Sequence, residues 1–119
     1  MRILLLFIIL LLPVSLTGCA WLDLEEEDVI ILYNIFGTAS TVSVTQTNAS
    51  GGTDQFETEV PYQHQFSLPG NSDAFLYISA QISNTSGGSL TVEIIVNGET
   101  KANAQVSGFA SIASADYSL

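Results

Sequence analysis

Cys19 is the only thiol in this chain and His64 the only imidazole. A histidine beside one of the many serines is the minimum for nucleophilic hydrolysis. A serine nucleophile must also be presented, commonly on a Gly-x-Ser-x-Gly elbow between strand and helix, and no such segment occurs. His64 lies instead in the alternating stretch Tyr62-Gln63-His64-Gln65-Phe66. That spacing predicts a half-buried strand residue rather than a base. Metal sites need clustered His, Cys and carboxylate ligands, and no such cluster appears. The four consecutive acids Glu25 to Asp28 cannot wrap one ion without a turn residue among them. The glycines fall in turn-like groups, not in a phosphate-cradling loop that opens a helix. The residues predict no enzyme, no catalytic residue, no metal and no cofactor.

Cys19 has a different context. Arg2 precedes ten unbroken apolar residues, Ile3 to Leu12, and Leu16-Thr17-Gly18-Cys19 follows. A positive start, a short apolar run and small residues before a cut define an export signal. The run is too short for a mature membrane span, which needs about 20 apolar residues. Leu16-Thr17-Gly18-Cys19 resembles a bacterial lipobox. The resemblance implies cleavage between Gly18 and Cys19, diacylglycerol on the Cys19 sulfur and often a further acyl chain on the new amino group. Each buried methylene contributes about 0.8 kcal/mol and one chain alone binds only marginally, so two or three make a durable anchor. Residues 1–18 are thus expected to be a signal peptide, and residues 19–28 a lipidated cysteine and acidic tether. Trp21 is expected at the lipid interface, where indoles are favoured. Ala20, where an Asp would favour inner-membrane retention, points to the outer membrane in a diderm. In a monoderm the anchor would sit on the outer face of the plasma membrane.

Charge agrees with this division. The chain has two basic residues against twelve acidic ones, a net charge of −10. Such a chain lacks the Lys/Arg surface that phosphate neutralisation requires, which excludes nucleic acid as a partner. Once Arg2 is cleaved away, Lys101 is the only basic side chain left. An acidic body is repelled by anionic membrane surfaces, so lipid rather than electrostatics must hold it to the membrane.

From Val29 onward the apolar residues recur with period two, and no helical periodicity appears. Val29, Ile31, Tyr33 and Ile35 alternate with Ile30 and Leu32, which predicts a strand buried on both faces at its start. Val42 and Val44 alternate with Thr and Ser. Phe56, Thr58 and Val60 alternate with Gln55, Glu57 and Glu59, and Pro61 then belongs at a strand end or bulge. Tyr62, His64, Phe66 and Leu68 form the next face. A long strand is expected over Phe75 to Asn84, then one carrying Leu90, Val92, Ile94 and Val96. Asn97-Gly98 signals a type I′ hairpin, because both central positions need positive φ. Ala102, Ala104 and Val106 form a small-residue strand where two sheets approach closely, and Phe109 to Tyr117 a last one. Asn48-Ala49-Ser50 and Asn84-Thr85-Ser86 match glycosylation sequons but are expected to be ordinary turns. Seven or eight short strands, each closed by turn chemistry, predict one Ig-like antiparallel β-sandwich over residues 29–119, all-β in class.

The order of these segments is similar to the soluble domain of the MmpS family. The resemblance is carried by Leu32-Tyr33 with Gly37 to Thr45, Val60-Pro61-Tyr62-Gln63-His64-Gln65-Phe66, and Phe75-Leu76-Tyr77-Ile78-Ser79-Ala80-Gln81. It continues through Thr91 to Glu99 and Gly108-Phe109-Ala110-Ser111-Ile112-Ala113-Ser114. It implies a β-sandwich outside the cytoplasmic membrane that serves as accessory or adaptor to an RND-type exporter of lipids or siderophores. Three features depart from the family: a lipobox replaces the spanning helix, Tyr62 stands where the family has Trp, and a cysteine pair near the last strands is missing. Tyr62, His64 and Phe66, beside the strand-breaking Pro61, are the candidate partner-binding residues if they are exposed, and Tyr62 and Phe66 are core if they turn inward. The alternative role is that of an Ig-like surface lipoprotein with a structural, ligand-binding or adhesive task.

Overall fold

The computed structural model describes residues 27–119, so Gly18, Cys19, Trp21 and the leader lie outside the described residues. Within them the chain forms eight strands and no helix: β1 (Val29–Phe36), β2 (Thr41–Thr47), β3 (Thr53–Glu59), β4 (Tyr62–Leu68), β5 (Phe75–Ile82), β6 (Ser89–Val96), β7 (Glu99–Ser107) and β8 (Ile112–Ser118). They pair antiparallel in two four-stranded sheets, ordered β4-β1-β6-β7 and β3-β2-β5-β8. The expected all-β sandwich of seven to eight antiparallel strands is the observed architecture.

Alternation explains the core. One face of β1 buries Ile31, Tyr33 and Ile35, and its neighbour β6 buries Leu90, Val92 and Ile94. Across the interior, β2 contributes Val42 and Val44, and β5 contributes Leu76, Ile78, Ala80 and Ile82. The central strands β1, β6, β2 and β5 thus supply most of the apolar filling. Each Val, Leu or Ile so buried stabilises the fold by about 1.5–3 kcal/mol relative to exposure.

The turns follow their side chains. Asn97 (φ 51°) and Gly98 (φ 84°) adopt the two positive φ values that the β6–β7 hairpin demands. Both sequon asparagines organise turns. Asn48 Oδ1 accepts the backbone N–H groups of Ser50 and Gly52. Asn84 Oδ1 accepts those of Ser40 and Thr41, while its Nδ2 donates to the Gly87 carbonyl at 2.8 Å. Pro61 sits where the chain leaves β3 for the other sheet, at a strand end as expected.

Three local expectations are corrected. Ile30 is 40% exposed and Leu32 only half-buried, so β1 is covered on one face and not on both. The outer face of this sheet carries no further layer among the described residues. The fifth strand stops at Ile82 rather than Asn84, because Asn84 is occupied in holding the loop at 37–41. The last strand begins at Ile112 rather than Phe109. Ala110 takes a φ of 69°, which breaks extension, and its N–H donates to the Ile82 carbonyl.

Candidate functional site

The two long edges of the sandwich differ, and side-chain size explains why. On one side β7 and β8 lie close together across the gap between sheets. Along their middle the inward residues are small, Ala102 and Ala104 on β7 and Ala113 and Ala115 on β8, with Val106 and Tyr117 toward the strand ends. The close approach expected at Ala102 and Ala104 is therefore present. On the other side β3 and β4 end the two sheets without closing on each other. Their inward faces carry rings: Phe56 on β3, beside the smaller Thr58, and Tyr62, His64 and Phe66 on β4, all half-buried. Rings of this size hold the edges apart and fill the seam between them.

The structure brings the three predicted residues onto one face of β4, as their spacing requires. Their environment lies between the two sequence readings, neither free surface nor sealed core. Phe66 packs edge-on against the buried Tyr33 ring, with centroids 5.4 Å apart and planes at 69°. Tyr62 lies 5.4 Å from Phe56 across the seam. The His64 ring rests against Phe66 at 5.5 Å. Tyr62 and Phe66 both pack on the core while keeping part of their surface in water.

Polar groups cross the seam as well. Gln46 on β2 is 1% exposed and is the buried polar residue of the described chain. Its Oε1 accepts a hydrogen bond from the Tyr62 hydroxyl at 3.2 Å. The Tyr33 hydroxyl and Thr47 Oγ1 are 2.6 Å apart, a second link between sheets. Burial raises the pKa of Tyr33 above its ordinary 10.0, and the Thr47 bond offsets this only in part. Burial likewise raises Tyr62, against the lowering effect of its bond to Gln46. Sequence reasoning passed over Gln46, although it shares the parity of Val42 and Val44 and so had to point inward.

The backbone edges differ too. The β3 edge carries Asp54, Glu57 and Glu59; β7 carries Glu99 and Lys101 beside an irregularity opposite Ile94 and Ile95; β8 carries Asp116. Charges and bulges on an edge strand block pairing with foreign chains. The seven residues of β4 include no Lys, Arg, Asp or Glu. The loops at the end of the sandwich away from Val29, residues 37–40, 60–61, 83–88 and 108–111, are also free of charged residues.

Among the described residues no three His, Cys, Asp or Glu side chains gather as a metal site. A hollow of about 420 Å³ lies between the 48–52 turn and the 69–74 loop, and none of its lining residues, such as Asn48, Ser50, Leu68 and Phe75, is titratable. A second, of about 360 Å³, contains Lys101 and Glu99, which pair with each other at 3.0 Å. No family model matches this sequence, and no curated protein matches it.

Proposed function

We propose that this chain is a membrane-anchored bacterial lipoprotein that acts without catalysis, as an accessory or adaptor in envelope transport, by holding a partner protein against the β3/β4 side of its sandwich. The observation that carries this reading is the uncharged, aromatic-lined edge at β4 on a domain whose other three edges are charged. The lipobox-like Leu16-Thr17-Gly18-Cys19 supports attachment to the envelope through lipid. The resemblance to the MmpS family supports an RND-type exporter of lipids or siderophores as the class of partner. A second reading, a surface lipoprotein with a structural or adhesive task, draws support from the charge-free loops at the end far from Val29.

Two experiments separate these readings. Full-length protein, cross-linked in native membranes and purified, should carry an RND-type exporter subunit into the eluate. Recovery without any transport component counts against the adaptor role. Protease accessibility in intact cells then tests the surface role, since a periplasm-facing domain is protected. The anchor has its own test. Cys19→Ser removes the acylated sulfur, and the protein should move from the membrane to the soluble fraction. Unchanged fractionation would overturn the lipid attachment and with it the assigned location.

A further inference from the structure

We infer that β4 recruits its partner by strand addition: an extended segment of neutral-to-basic composition, with apolar residues at alternate positions, pairs antiparallel or parallel with the free backbone edge of Tyr62–Leu68 and lays its apolar side chains over the open seam. This rests on the partner-binding reading above and names the mode of contact and the chemistry of the segment.

Three observations converge on it. The first concerns the edge. β4 pairs with β1 along one side only, in unbroken register from Val29 opposite Leu68 to Ile35 opposite Tyr62. Among the described residues its other side has no partner strand. An edge of this kind presents a row of backbone N–H and C=O groups, a ready template for another strand. Each remaining edge carries at least one charged residue, and β7 adds an irregularity. Such devices blunt an edge, and β4 has neither charge nor bulge.

The second observation is the seam. Inward side chains of an added strand would lie over Phe56, Tyr62, His64 and Phe66, which are already part-covered and leave apolar ring surface in water. Alternate side chains of the incoming segment would meet that surface, because successive residues of a strand point to opposite faces. The outward side chains of β4, Gln63, Gln65 and Ser67, are exposed and neutral. They impose no charge requirement of their own.

The third is electrostatic, and it chooses the occupant. The neighbouring edge β3 places Asp54 on the same face as Phe56, at the seam, and carries Glu57 and Glu59 on its outer face along the same edge. The chain carries −10 overall. A second copy of the chain brings the same negative field to the interface, and an acidic segment does likewise. A neutral or basic segment is attracted instead. The occupant is thus a partner's extended segment rather than another copy of this chain.

Selection from displayed random decapeptides against the full-length protein in detergent micelles tests this with no exporter present. The selected peptides should alternate apolar with polar residues, be depleted in Asp, Glu and Pro, and be enriched in Lys or Arg. N-methylation of alternate peptide amides should weaken binding on one edge only, by about tenfold or more, since several main-chain hydrogen bonds are lost together. Gln65→Lys, which adds a blunting charge to β4, should reduce binding by a similar factor. Ser114→Lys on β8 should leave it unchanged, and circular dichroism of both variants should show the fold intact. The inference is overturned by selected peptides that are acidic, by binding that tolerates methylation on both edges or ignores Gln65→Lys, by no enrichment, or by a dimer of the chain paired through β4. Peptide binding without exporter recovery leaves strand addition standing and removes the transport role. Exporter recovery unaltered by Gln65→Lys does the opposite.

Discussion

The hydrogen bond between Tyr62 and Gln46 should be worth more than its single contact suggests. Tyr62→Phe removes the hydroxyl and keeps the ring against Phe56. What remains is the Gln46 carbonyl oxygen, on a residue 1% exposed, without the donor at 3.2 Å that it has now. A typical hydrogen bond contributes about 0.5–1.5 kcal/mol net, whereas stranding a buried acceptor costs about 1–3 kcal/mol. The seam is open on its outer side and Tyr62 is half-buried, so water relieves part of that penalty. The expected loss is therefore about 1–1.5 kcal/mol, in the lower part of the range. For a domain of this size each kcal/mol lowers the melting temperature by about 4–8 °C, so the variant should melt roughly 4–12 °C lower. Urea and thermal unfolding of the full chain, followed by circular dichroism, would measure it. A double-mutant cycle isolates the cause. Gln46→Leu with Tyr62→Phe replaces both partners by apolar groups and should be closer to wild type than Tyr62→Phe alone. If the two single changes simply add, or if Tyr62→Phe alters stability by less than about 0.3 kcal/mol, the buried-amide argument is wrong.

Three further outcomes follow from other parts of the fold. Gly37 has a φ of 146°, and a Cβ there would lie 2.3 Å from the Ser89 carbonyl oxygen, so Gly37→Ala should destabilise by at least about 1–3 kcal/mol in urea titration. Ala113 is fully buried at the closed β7/β8 side, and Ala113→Leu should cost about 1–3 kcal/mol by forcing those edges apart, whereas Ser114→Leu on the exposed face should not. Because burial raises the Tyr33 pKa above 10.0, its contribution is fully present below pH 10.0 and is lost as pH rises through the folded value. Tyr62 acts in the same direction, while Tyr77, lowered by its bonds to Ser79 and Ser114, opposes it. Tyr33→Phe should therefore flatten the alkaline fall in urea midpoint, and an unchanged slope above pH 10.0 would remove Tyr33 as its source.

Much of this domain is written in short-range pattern. Whether a strand residue faces in or out depends on parity. Ile31, Tyr33 and Ile35, or Leu90, Val92 and Ile94, therefore announce their burial in the spacing alone. Turns are equally local: Asn97-Gly98 needs no distant partner to prefer positive φ at both positions. The same parity applies to Gln46, whose amide is carried inward with its valine neighbours. The lipobox-like cysteine and the acidic stretch after it also belong to this local text.

Edge position and sheet closure are different in kind. Nothing within Tyr62–Leu68 states that β4 has one neighbour and not two, because that depends on where β1, β3 and β6 lie, far away in the chain. Ile30 reads as buried from its own sequence, yet it is 40% exposed, since no layer covers that face among the described residues. The seam depends on pairs of edges meeting in space: β7 and β8 meet over four alanines, whereas β3 and β4 face each other across rings. Side-chain direction is set by the backbone's own two-residue repeat, so a single strand encodes it. Which strands become borders, and which borders close, is set by volumes contributed from strands that only the folded chain places side by side.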